Sequence, residues 1–131
     1  MSHSVTAGTT RTAHRVVEER HCTRRGEHHI FSTPNLVLFL EETAIEALAD
    51  HIGEHQSSVG SRVDIAHTAP TLLGQSVAIT ATVTEVDRRR VVFSITAHDG
   101  ADEVASGSHE RFIVDLDKFG ARLDAKSDAL R

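Results

Sequence analysis

At 131 residues the chain has the length of one domain, and with 39% hydrophobic residues it can bury a core. Aromatic residues make up only 4%, with no Trp or Tyr, so that core must be aliphatic. The formal net charge of −5 argues against nucleic acid as a partner, because phosphate contacts need a basic surface. Cys22 is the single cysteine, which excludes an intramolecular disulfide and suits a reducing compartment. No stretch reads as a signal peptide or a membrane span, so the expectation is a cytoplasmic protein with no membrane partner.

Residues 1–10 are small and polar and are expected to fray. A strand is expected around 11–19, with Val16 and Val17 its strongest β-formers. Arg20 to His29 is dense in charge and histidine and reads as a loop. Ser32 to Ile52 is the stretch that organises the chain. Thr33 is expected as a helix N-cap, with Pro34 at the first helical position. Leu36 to Leu40 run without a polar break, which marks a buried helix. Glu41 and Glu42 end that run with no Lys or Arg near them in sequence. Ile45, Leu48 and Ile52 continue as an amphipathic stripe, and the helix is expected over 34–54.

The period then changes to two. Val59, Ser61, Val63, Ile65 and His67 fall on one face of a strand, and Arg62 and Asp64 on the other. Pro70 and Gly74 break it. Val77, Ile79, Ala81 and Val83 alternate with polar residues in the next strand. Arg88-Arg89-Arg90 reads as a solvated hairpin tip. Val91, Phe93, Ile95 and Ala97 alternate up to an Asp99-Gly100 turn. The last strand runs from 103 to 115, and Gly107 inside it suggests a bulge or a close approach. The tail after Phe119 is polar, with weak helical character. The fold class is therefore α+β: an antiparallel sheet wrapped around one long central helix. A single domain spans 1–131, with 1–10 and 121–131 flexible or peripheral. One helix covers little of such a sheet, and pairing with a second copy is the usual remedy.

Three residues could carry chemistry. Glu41 either emerges at the surface beside Glu42, or is a partly desolvated and hence more basic carboxylate. Thr33 is explained by capping alone, yet a cap also puts a hydroxyl at the positive end of a helix. Pro34 lacks an N–H, so Asn35 and Leu36 would have to supply amides to an oxyanion there. His67 shares the face of Val63 and Ile65, as a satisfied core residue or as a proton shuttle. Thr33 and Glu41 stand about 12 Å apart along a helix axis and do not touch. His14, His21, Cys22, His28 and His29 lie in one segment but match no closed zinc spacing, so neither a metal nor a cofactor is expected.

Three blocks resemble the fluoroacetyl-CoA thioesterase-like family of hot-dog acyl-CoA thioesterases. They are Phe31-Ser32-Thr33-Pro34 with Glu41; Val59-Gly60 through His67-Thr68-Ala69-Pro70 with Gly74; and His98 to Arg111 followed by Asp117-Lys118-Phe119. The resemblance implies an acyl-CoA substrate, and homodimers or dimers of dimers with active sites at the subunit boundary. It implies Thr33, Glu41 and His67 as the catalytic set, with Gly60, Arg111 and Phe31 as substrate contacts. One departure stands out. The segment before Thr33 is charged and shorter than the family's Phe-rich lid, with Phe31 its only aromatic. The expectation is thus hydrolysis of a small or medium acyl-CoA without the fluorine-selective lid. The alternative is a hot-dog protein that binds acyl-CoA or another small molecule without turnover.

Overall fold

The computed structural model describes residues 2–131. Five antiparallel strands form one sheet, in the order β1-β5-β6-β7-β4. They are β1 (Thr10–Val16), β4 (Gln56–His67), β5 (Ser76–Asp87), β6 (Arg90–His98) and β7 (Glu103–Asp115). Helix α1 (Thr33–Leu48) packs across one face of the sheet, against β5, β1 and β4. The alternation in β5 and β6 drives this: Ile79, Ala81 and Val83 pair with Ala97, Ile95 and Phe93, and all six are buried together with Val77 and Val91. They meet Leu36, Phe39, Leu40, Ala44 and Leu48 of the helix in a single core. This is the expected α+β wrap.

Four local expectations need correction. Of the segment Arg20 to His29, expected as a loop, Arg20 and His21 lie in a short 3-10 turn and the rest in a hairpin of β2 (Cys22–Arg25) and β3 (His28–Phe31), turning at Gly26 with φ +60. Most of its side chains are exposed, so no alternation announced it, and Phe31 anchors it in the core. The N-terminal segment is tied down rather than frayed. Val5 is buried, and Ser4, Gly8 and Thr9 bond the backbones of His51 and Val83. α1 ends at Leu48 and passes into a short 3-10 turn at Ala49–His51. The polar tail forms helix α2 (Leu116–Ala129), capped by the Asp115 carboxylate, which accepts from the Asp117 and Lys118 N–H groups. α2 buries none of its residues, so it is peripheral though regular.

The fifth difference positions the site. Gly60 pairs with Arg111 and Arg62 with Glu110, which leaves Ser61 as the extra residue of a β-bulge. Ser61 donates to the Glu110 carboxylate instead. The bulge changes which residues share a face. Val59 pairs with exposed Phe112 and turns outward, whereas Gly60 joins Val63, Ile65 and His67 on the helix side. β4 is an outermost strand, so one side of its backbone pairs with no strand of this chain.

Candidate active site

Glu41 sits two turns into α1 with its side chain one-third exposed. Sequence gave it no cationic neighbour, but the fold supplies one from 70 residues away. Arg111 Nη1 donates to Glu41 Oε2 at 2.9 Å. Arg111 is only 4% exposed in its side chain, and its other donors are also engaged. Nε donates to Ser58 Oγ at 2.9 Å, Nη2 to the Ser58 carbonyl at 3.0 Å, and Nη1 to His109 Nε2 at 3.2 Å. Burial lowers the guanidinium's pKa and the Glu41 charge opposes that. Gly60 lies under the same carboxylate. A Cβ built there would collide with Glu41 Oε2 and come within 3.2 Å of Arg111 Nη1. Gly60 and Arg111, expected at the substrate, therefore both have Glu41 of their own chain as immediate neighbour.

The helix start corrects the assignment of the cap. Ser32, not Thr33, is the N-cap. Its hydroxyl accepts from the Asn35 N–H and its carbonyl from the Leu36 N–H. Those two amides are thus committed to the cap and are not free for an oxyanion. Thr33, released from capping, bonds His67 instead: Oγ1 lies 2.8 Å from Nδ1. His67 ends β4, with the Phe31 ring edge-on at 6.3 Å. Burial lowers the His67 pKa, partly offset by the Ala69 backbone, so the imidazole favours its neutral form. Its Nε2 is buried and has no hydrogen-bond partner among the described residues. A neutral imidazole with one nitrogen tied to a hydroxyl leaves the other with a hydrogen bond still to make.

Thr33 and His67 border a cavity of about 390 Å³ that Phe31, Pro34, Pro70 and Arg25 also line. Phe31 serves both sides, since its ring also packs on Phe39 at 4.9 Å. Within one chain, then, there are two centres. Thr33 and His67 form one at the helix start, and Glu41, Arg111 and His109 form the other two turns along.

Comparison with known proteins decides the family. The family model for fluoroacetyl-CoA-specific thioesterases matches residues 11–117. The chain belongs to that family. The fluoroacetyl-CoA thioesterase of Streptantibioticus cattleyicolor is 36% identical over 100 residues, covering 76% of this chain and 72% of the relative. A solved fluoroacetyl-CoA thioesterase superposes with a TM-score of 0.86 at 31% identity, over 93% of this chain and 97% of the other. A hot-dog-like protein from Thermanaerovibrio acidaminovorans gives 0.84 at 31%, over 92% and 91%. The thioesterase family fold, a hot-dog, is the wrap described above.

Ser58 and His109 escaped the sequence reading. A signal was present for the second. His109 and Arg111 fall in the period-two set that runs from Ala105 to Ile113, an otherwise apolar face of a core strand. Two hydrogen-bonding side chains there require buried partners.

Proposed function

We propose that this thioester hydrolase splits a small or medium acyl-CoA into CoA and a carboxylic acid, at a site that two copies complete together. One observation carries the reading. Thr33 and Glu41 straddle Val37, next to Leu38, on α1, and Gly60 and His67 straddle Val63–Asp64 on β4. A two-fold axis beside those midpoints would set Thr33 and His67 of the partner against Glu41 and Gly60. The residues at the midpoints suit it, since Leu38 is 49% and Val63 36% exposed in the single chain. The unpaired edge of β4 offers the backbone for such pairing.

In this arrangement Glu41, fixed by Arg111, takes a proton from water as its oxygen attacks the thioester carbon, or attacks the carbon itself. The partner's His67 bonds the carbonyl oxygen or the attacking water through Nε2. The partner's Thr33 holds the imidazole at Nδ1. On the first route the C–S bond breaks after the C–O bond forms, and the proton taken by Glu41 passes to the departing thiolate. On the second the thiolate leaves behind a Glu41 anhydride, which water hydrolyses to the acid and free Glu41, releasing the proton that the thiolate takes. The wall over the cavity is the charged β2–β3 hairpin with Phe31 as its aromatic, so fluorine selectivity is not part of the proposal.

The test is thiol release from a panel of acyl-CoAs by wild type, Glu41→Ala, His67→Ala, and an equimolar mixture of the two variants refolded together. Each variant alone should be inactive. The mixture should recover up to about a quarter of wild-type turnover, since half the dimers are mixed and one of their two sites is intact. Full turnover by Glu41→Ala would refute the catalytic assignment. An inactive mixture would refute the shared site. Acyl-CoA binding by wild type without thiol release would favour the non-catalytic alternative.

A further inference from the structure

His109 is 1% exposed, and the reaction outlined above gives it no part. Both its nitrogens are nevertheless committed. Nδ1 lies 2.8 Å from the Arg62 carbonyl, which can only accept, so Nδ1 carries the proton. Nε2 lies 3.2 Å from Arg111 Nη1, which can only donate, so Nε2 is bare. Two independent neighbours thus select the same neutral tautomer. The Phe93 ring, stacked on the imidazole at 6.2 Å, fixes its plane.

Nη1 is the atom that also donates to Glu41 Oε2. The chain of bonds therefore runs from the carbonyl that follows the β4 bulge, through the imidazole, through one guanidinium nitrogen, to the carboxylate. We propose that His109 is a positioning residue for hydrolysis: its Nε2 lone pair aims Arg111 Nη1, and through it the Glu41 carboxylate, at the reacting centre. The inference rests on Glu41 being the group that acts on the thioester. Burial and the Arg111 charge both disfavour protonation of the ring, consistent with an acceptor at Nε2. Without that acceptor Nη1 keeps Glu41 alone, and the planar guanidinium is held by protein only from its Ser58 side, free to tilt about those two bonds. Loss of alignment by about 1 Å at a catalytic group costs on the order of 100-fold in rate.

Three substitutions test this. His109→Gln puts an amide oxygen near the Nε2 position and keeps an acceptor for Arg111. His109→Asn reaches only the Nδ1 position and keeps the bond to Arg62. His109→Leu keeps neither. Steady-state thioester hydrolysis and thermal melts should be measured on all three beside wild type and Glu41→Ala. His109→Leu and His109→Asn should lose about 10–100-fold in kcat with KM within about twofold, whereas His109→Gln stays within about threefold of wild-type kcat. A merely structural role predicts instead that kcat tracks Tm across the three, with Gln and Asn equivalent, and that result would overturn the proposal. So would wild-type kcat in His109→Leu. Should that variant not fold, the contrast between Gln and Asn decides alone. Active Glu41→Ala would overturn the reading of Glu41 and this inference with it, whereas inactive Glu41→Ala beside a fully active His109→Leu would overturn this inference alone.

Discussion

Gly60→Ala displaces the Glu41 carboxylate without deleting it. The backbone at Gly60 is not among those with positive φ, so alanine fits it. Replacing Gly by Ala inside a strand stabilises by about 0.5–1 kcal/mol on conformational entropy alone. The obstacle is the space above it. The new methyl would overlap Glu41 Oε2, and Arg111 Nη1 and His109 Cε1 stand at 3.2 and 3.4 Å. Arg111 is held by Ser58 and His109 together, whereas Glu41 is the free end of a flexible, one-third exposed side chain. The carboxylate should swing out and lose its bond to Arg111. A charge-assisted hydrogen bond is worth about 1.5–3 kcal/mol, or about 10–100-fold if the whole of it acts in the transition state. The lost bond outweighs that gain, so the expected variant has a slightly lower Tm and, assayed well below it, a kcat/KM down by about 10–100-fold. Calorimetry and thiol release on the same preparation read both. Turnover within about twofold of wild type, or a loss of activity that merely follows a loss of Tm, would refute the reasoning.

Gly107→Ala should do the reverse, harming stability at a distance from the carboxylate. Its Cβ would strike the Asp64 carbonyl and Ile65 Cα of β4, which are backbone and cannot swing aside. A cost of about 2 kcal/mol, read as a lower urea midpoint, is expected. Thr33→Val removes the hydroxyl at His67 Nδ1 and leaves Ser32 to cap the helix, so kcat should fall about 10-fold or more with little change in Tm. Stability should also depend on pH through His67 and His109. Both are held below the ordinary histidine range, mainly by burial, so the unfolded chain binds the proton more readily. Their contribution is therefore full above about pH 6.5 and is lost as pH falls through the depressed folded values. Urea midpoints measured downward from pH 8 should decline below that point, and less in His109→Gln; a flat profile would contradict the assigned neutral tautomers.

The architecture was legible because β5 and β6 alternate cleanly and the run from Leu36 to Leu40 is greasy enough to need enclosure. Gly107 was also readable, since a glycine inside a core strand implies that another backbone comes close. What escaped notice involved no hydrophobic pattern. The β2–β3 hairpin is held by main-chain bonds under exposed charges. α2 stands on a cap without a buried stripe. Ser32 and Thr33 are adjacent hydroxyl residues, either of which can cap, and only the position of His67 distinguishes them. Glu41's cation lies 70 residues away, beyond any local window.

The bulge is where fold and site meet. Gly60 and His67 are seven residues apart, an odd interval, and in a regular strand they would face opposite ways. An even interval would let both face the helix, but sequence spacing does not provide it. Ser61 adds the one unpaired residue that changes the parity, and its hydroxyl is occupied at the Glu110 carboxylate rather than in the site. Because of that residue a single edge strand presents both a clearing for a carboxylate and an imidazole on the same side. The proposed shared site needs both on one face, because each of its two copies would take one contribution from either chain.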